Sequence, residues 1–330
     1  MDVGFFFWPY SLDLVERVAE RADRYGYAMI GIADTPGNAM DPWVAAALAA
    51  RATKNVRVAL CVTNLKTRHP SVSAAAIASL DHVSNGRATL GIGAGHSGTK
   101  NLGLARSTAR EMGEGIAYMK KLLRGEPATL DGAEAHIPWV KKPAPVFLAA
   151  SHPMALEQAG RHADGVFLNY GIHAENMAES KAIVMRGIEA AGRKPGEVEF
   201  WQIAALDCNE NGDLAREKVG AMLAFLAGYV IGNKNLETRG VPLEYREPLL
   251  ELHRRYSTRP GEADIRLVRE LGLFDYLSRR LAICGNVEDC LAQARAAKAA
   301  GAERLMLTVS LAADPVRTVD LFGEHVLPKL

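Results

Sequence analysis

Cysteine is scarce in this chain: Cys61, Cys208, Cys284 and Cys290 are the only four in 330 residues, and none stand in C-x-x-C spacing. That excludes a disulfide framework and a zinc ribbon, and reads as reduced thiols in a cytoplasmic protein. Net charge is missing too. With 39 Lys and Arg against 38 Asp and Glu, the formal balance is +1, so no overall field recruits nucleic acid or an anionic membrane, and any anionic ligand must be held locally. The longest uncharged apolar stretch, Val219 to Gly232, falls short of the ~20 residues that cross a bilayer. Met1-Asp2 opens without the basic region of a secretory signal, which adds to the cytoplasmic expectation. No H-E-x-x-H or similar pairing points to a metal. Repeats and low-complexity tracts are absent.

What is present is an ordinary globular composition, 48% hydrophobic and 23% charged, which excludes disordered, collagen-like and coiled-coil chains. Runs rich in β-branched and aromatic residues recur at Val3–Trp8, Ala28–Asp34, Val56–Thr63, Ala88–Gly93, Val146–Ala150, Gly165–Asn169, Glu199–Leu206 and Arg304–Val309, each followed by helical spacing. The first helix carries its own punctuation. Ser11 is the N-cap, Leu14, Val15, Val18, Ala19, Ala22 and Tyr25 form the apolar face, and Gly26 is the stop. Eight strands alternating with helices predict an α/β fold, a (β/α)8 TIM barrel, with an open doubly wound sheet as the alternative. Two stretches exceed a barrel's needs. Pro127–Pro143, with Asp131-Gly132, reads as a hairpin or loop set. Asn209–Arg280 reads as a helical insertion of about 210–280 between strands seven and eight, with helices at Leu214–Tyr229 and Pro242–Tyr256. With no linker in sight, residues 1–330 are expected to form one domain.

In a barrel, working residues lie just past the C-terminal ends of the strands. The candidates are Asp34-Thr35, Cys61 to Asn64, Gly93 to Gly98, Ser151-His152 and Asn169 to Gly171. Asp34, ahead of Pro36-Gly37, is either turn chemistry or a carboxylate facing a ligand. The Gly91-Ile92-Gly93-Ala94-Gly95 run is a weak match to a dinucleotide fingerprint, because a helix must open there and Lys100 to Arg106 reads as loop. It does allow a flat ring or a phosphate close to the backbone. His96 follows the run and could titrate near neutrality, or could simply be exposed.

Residues 62–95, VTNLKTRHPSVSAAAIASLDHVSNGRATLGIGAG, resemble the third-to-fourth-strand region of the bacterial luciferase-like superfamily, and look closest to its methylenetetrahydromethanopterin reductase-like branch. YAMIGIAD at 27–34, ASHPMALEQAGRHADGVFLNYG at 150–171 and ICGNVEDCL at 283–291 extend the likeness. The resemblance implies a barrel, usually dimeric, that binds a flavin or 8-hydroxy-5-deazaflavin at its C-terminal face. It also implies a non-proline cis peptide at Cys61-Val62, bulging against one ring face. Cofactor contacts would come from Cys61, Val62, Thr63, Asn64, Gly93 and Gly95. FMN-binding relatives often grip the phosphate with Arg in a G-x-x-R-G run. Ala94 stands there instead, which favours coenzyme F420, whose singly charged phosphodiester backbone N–H groups around Ser151-His152 and Gly171-Ile172 could hold; FMN is the alternative.

Two departures from the family matter. Asp34-Thr35 replaces the Asp-His of deazaflavin dehydrogenases, and His96 stands where an acid is common. The resemblance therefore implies an F420-dependent oxidoreductase acting on an unidentified small organic substrate, with Asp34 orienting cofactor or substrate, His96 moving the proton and Asn64 bonding the ring. The alternatives are an FMNH2-dependent two-component monooxygenase with a flavin reductase partner, and a non-catalytic flavin-binding barrel.

Overall fold

The computed structural model describes residues 1–232, 234–260 and 262–330; Asn233 and Gly261, inside the expected insertion, lie outside the described residues. The fold is α/β, a (β/α)8 barrel of parallel strands, and not an open doubly wound sheet. The chain divides into two compact units, one made of Phe7–Phe167 and Lys181–Phe200, the other of Met1–Phe6, Leu168–Ser180 and Trp201–Leu330.

In the first of these units the strands run in the order Met29–Ile32, Arg57–Asn64, Ala88–Gly93, Val146–Ala150, Gly165–Leu168. Their burial is nearly complete, as expected for parallel strands covered on both faces. Helix Leu12–Tyr25 forms for the local reasons its sequence gives. The Ser11 hydroxyl accepts from the Leu14 N–H at 3.1 Å, Val15, Val18, Ala19 and Ala22 are buried, and Gly26 ends the helix at φ 75°. Pro127–Pro143 contains a short hairpin, Ala128–Leu130 against Ala133–Ala135. The second strand stops at Ile32, so Asp34 lies in the loop beyond it rather than inside the strand.

In the other unit Arg304–Thr308 lies between Asp2–Phe7 and Glu199–Cys208. A strand the sequence did not reveal, Ala282–Gly285, pairs with the end of Glu199–Cys208, Cys284 opposite Asp207. This added partner carries the seventh strand to Cys208, two residues past its expected end. Its outer edge is covered by a side chain: the Gln293 amide accepts from the Cys284 N–H at 3.0 Å and donates to the Cys284 carbonyl at 2.8 Å. The insertion is helical, with Gly212–Val230, Leu243–Arg255, Glu262–Glu270 and Phe274–Leu281. It has its own apolar core, including Leu223, Leu252, Val268, Leu277 and Leu281. The crossing of two of these helices is close because residue 220 is glycine. A Cβ there would stand 2.3 Å from the Ile265 carbonyl oxygen.

Candidate functional site

The site is built where strands two, three and four end. Strands two and three run in register, Ile32 opposite Leu60, and the residues that follow meet. Thr63 Oγ1 donates to Asp34 Oδ2 at 2.6 Å. Asp34 is half-buried, and its carboxyl pKa is raised: burial pushes it up most, the Thr63 hydrogen bond opposes this, the Asp41 charge adds to it and Arg68 opposes it.

Pairing of strands three and four slips between Leu60 and Thr63, so Cys61 and Val62 form a bulge. The Cys61-Val62 peptide is cis. The bulge explains the glycine run. A Cβ on Gly91 would come within 2.8 Å of Val62 Cγ1, and one on Gly93 within 2.7 Å of Val62 Cγ2. Only glycine leaves room for the valine methyls, and Val62 remains part-exposed at the strand ends. Cys61 is buried, and burial pushes its thiol pKa up.

The chain after Gly93 folds back over the loop after strand two. Gly95 takes φ 84°, and Ser97–Lys100 makes a single helical turn, too short for a dinucleotide fold. Thr35 Oγ1 donates to Ser97 Oγ at 2.8 Å, with both residues buried. Asn101 Nδ2 donates to the Pro36 carbonyl at 3.3 Å and to Asn38 Oδ1 at 3.0 Å. His96, part-buried, stands at the N-cap of that turn. The segments carrying Asp34 and His96 are thereby joined.

Asn64 shapes the loop after strand three. It is buried, and its Oδ1 accepts from the Lys66 N–H at 2.9 Å, the Thr67 N–H at 3.0 Å and the Thr67 hydroxyl at 3.2 Å. An oxygen so committed turns the loop, and any bond from the side chain to a ring falls to its amide Nδ2. Ser151 is buried and His152 exposed after strand five, at the head of helix Pro153–His162, whose N-cap has no side-chain bond.

In the other unit, Gly171 takes φ 126°, and a Cβ there would lie 3.0 Å from both Arg280 Cγ and Asn176 Oδ1. The Ile172 N–H donates to the Arg280 carbonyl at 2.9 Å, so it is not the phosphate donor the sequence suggested. Arg280 also donates to the Tyr170 carbonyl, at 3.4 Å from Nε and 3.3 Å from Nη2. This clamp was missed in the sequence. Its signal was spacing: Leu277, Arg280 and Leu281 share the buried face of helix Phe274–Leu281.

Among the described residues no group of His, Cys, Asp and Glu could hold a metal ion, and no helix is long and apolar enough to cross a membrane. All four cysteines are buried and free.

Residues 9–304 match the family described as luciferase-like monooxygenase. The 5,10-methylenetetrahydromethanopterin reductase of Methanolobus tindarius is 24% identical over 322 residues, covering 95% of each chain. An F420-dependent glucose-6-phosphate dehydrogenase of Amycolatopsis mediterranei is 27% identical over 342 residues, covering 96% of this chain and 94% of that one. Among solved structures, the coenzyme F420-dependent tetrahydromethanopterin reductase of Methanopyrus kandleri superposes with a TM-score of 0.82 at 22% identity, covering 99% of both chains.

Proposed function

We propose that this chain, which belongs to the luciferase-like monooxygenase family, is an oxidoreductase that uses coenzyme F420 to move a hydride to or from a carbon of a small organic substrate. The observation that carries the reading is the nearly full-length similarity to an F420-dependent dehydrogenase and a methylenetetrahydromethanopterin reductase. The uncharged Gly93-Ala94-Gly95 run adds support, since it offers no guanidinium to a dianionic phosphate.

The residues fit such a cofactor in two respects. The Val62 methyls, wedged over Gly91 and Gly93, present an apolar knob against which a flat ring can lie. Helix Pro153–His162 starts without a side-chain cap, so its first-turn N–H groups and dipole suit one negative charge. When bound, the deazaflavin supplies hydride donation or acceptance at its C5 carbon.

The protein's own groups orient the substrate and handle the proton. Thr63 fixes the Asp34 carboxyl in one rotamer, and its raised pKa lets it hold a proton closer to neutrality than an ordinary aspartate. His96 delivers a proton to the substrate heteroatom during reduction and removes it during oxidation. The turn at Ser97–Lys100 is held beside the loop after strand two by Thr35 and Asn101, which keeps the segments bearing Asp34 and His96 together.

Anaerobic titrations of the purified chain with coenzyme F420 and with FMN test this reading. Micromolar F420 binding with weaker FMN binding is expected. Tighter FMN binding, with oxygen-dependent turnover fed by a flavin reductase, would replace it with the two-component monooxygenase, and binding without turnover of any substrate with the non-catalytic barrel.

We further propose that the chain works as a homodimer. Helix Pro42–Ala52 is apolar nearly all round, yet Val44 is 55% exposed, and on helix Pro70–Val83 Val72 is 49% exposed, a pattern that a second copy would cover. A monomer in sedimentation equilibrium at micromolar concentration overturns this.

A further inference from the structure

Exposed apolar side chains gather on the loops that follow the strands. Tyr10 is 43%, Met40 37%, Leu102 52%, Leu104 43% and Met154 73% exposed. Tyr10, Met40, Leu102 and Leu104 come from the loops after strands one, two and four, and Met154 from the first turn of helix Pro153–His162, which follows strand five, all at the end of the sheet that carries Asp34 and His96. Three of these loops are stitched together. The Met40 N–H donates to the Pro9 carbonyl at 3.1 Å, Asn101 bonds Pro36 and Asn38, and the Leu104 N–H donates to the Thr99 carbonyl at 2.9 Å. The Tyr10 ring stands edge-on to Trp8 with centroids 6.1 Å apart. The apolar groups are therefore held on ordered backbone.

Charge on the same loops is sparse. Phe7 to Ser11 has no charged residue, and Ala94 to Thr108 has two, Lys100 and Arg106. Asp41 is paired with Arg68 at 3.5 Å, and the Arg68 guanidinium lies over the Trp43 ring. A substrate bearing phosphates or several carboxylates needs clustered guanidinium or ammonium groups. These loops offer exposed apolar side chains instead, and apolar surface beside a polar site suits the apolar part of a ligand.

We propose that the substrate has a largely apolar, uncharged body, an alkyl or aryl portion that lies along Tyr10, Met40, Leu102 and Leu104 while its reacting carbon enters towards Asp34 and His96. This rests on the proposed active site and adds the substrate class. The occupant is a small molecule and not a protein or membrane face, because these side chains stand on or beside the loops that bear the two candidate catalytic groups.

Titration calorimetry of the full chain, with and without coenzyme F420, against straight-chain alcohols from butanol to decanol tests it. The dissociation constant should fall by up to about fourfold per added methylene, the factor for burying one CH2, with a negative heat-capacity change. The double variant Leu102→Ser/Leu104→Ser, whose side chains are exposed and whose melting temperature should hold, should lose most of that increment. Affinity independent of chain length overturns the proposal, as does an increment unchanged in the double variant and in Met40→Ser, which would place the alcohol elsewhere. F420 binding without the increment overturns this inference alone. The increment without F420 binding overturns the cofactor reading and leaves the apolar substrate standing.

Discussion

The Thr63 hydroxyl donates to Asp34 Oδ2 at 2.6 Å across the ends of strands three and two. The two residues are 29 positions apart, and parallel register brings them together, with Ile32 opposite Leu60 just before both. The bond fixes a half-buried carboxyl whose pKa burial has raised, and it limits that rise, because a donated hydrogen bond favours the ionised form.

Thr63→Val should therefore push the Asp34 pKa further up. With the hydroxyl gone only the Arg68 charge opposes burial, so the acidic limb of the kcat/KM profile should move to higher pH while the alkaline limb stays. An unchanged acidic limb would show that Asp34 does not titrate in the catalytic cycle.

His96→Ala should lower turnover by about 10²–10⁴-fold, the range for loss of a general acid or base, with little change in cofactor affinity. Rates at saturating cofactor, beside a cofactor titration of the same variant, decide this. Turnover above about a third of wild type with normal binding sinks the role.

Ala94→Arg should shift preference towards FMN, since a guanidinium between Gly93 and Gly95 can pair with a dianionic phosphate. Competitive titration with both cofactors measures the ratio. No change in ratio would mean that residue 94 does not face the phosphate.

Gly93→Ala sets a methyl 2.7 Å from Val62 Cγ2 and should destabilise the chain by about 1–3 kcal/mol, the usual cost of overpacking. Val62→Ala in the same chain should recover much of it. Denaturant melts of the three variants read the coupling, and strict additivity would contradict the packing described.

Asp207 provides a pH signature away from the site. It is buried, and burial pushes its pKa up to about 7, with the Ala313 N–H at 2.8 Å and Thr318 opposing and Asp314 adding. Unfolded, the same group titrates near ~3.9. Between those values the folded chain holds a proton that the unfolded chain has lost. Its contribution to stability is therefore complete below about pH 4, declines as pH rises, and is gone above about pH 7. Asp207→Asn should remove this decline, so urea melts at pH 5 and pH 8 should differ less for the variant than for wild type. Equal differences would mean Asp207 is ionised in the folded chain.

Features that depend only on near neighbours are legible in the chain alone. Ser11 and Gly26 bound the first helix because capping and φ > 0 are local properties. All eight barrel strands lie within two residues of their expected ends, the second being shorter at both; period and β-branched content are written in each segment. The family's motifs, and with them the Asp34, Val62 and His96 positions, were legible in the same way. Tertiary structure decided everything that needed a distant partner. The four-residue strand Ala282–Gly285 exists because the end of Glu199–Cys208 accepts it and Gln293 covers its edge, and four residues carry too little pattern to announce a strand. Only the folded chain shows that the turn of Lys66 and Thr67 takes the Asn64 side-chain oxygen, and that the Ile172 N–H goes to the carbonyl of Arg280, 108 residues on. A residue's type fixes which bonds it can make, but only the folded chain fixes which partner arrives first.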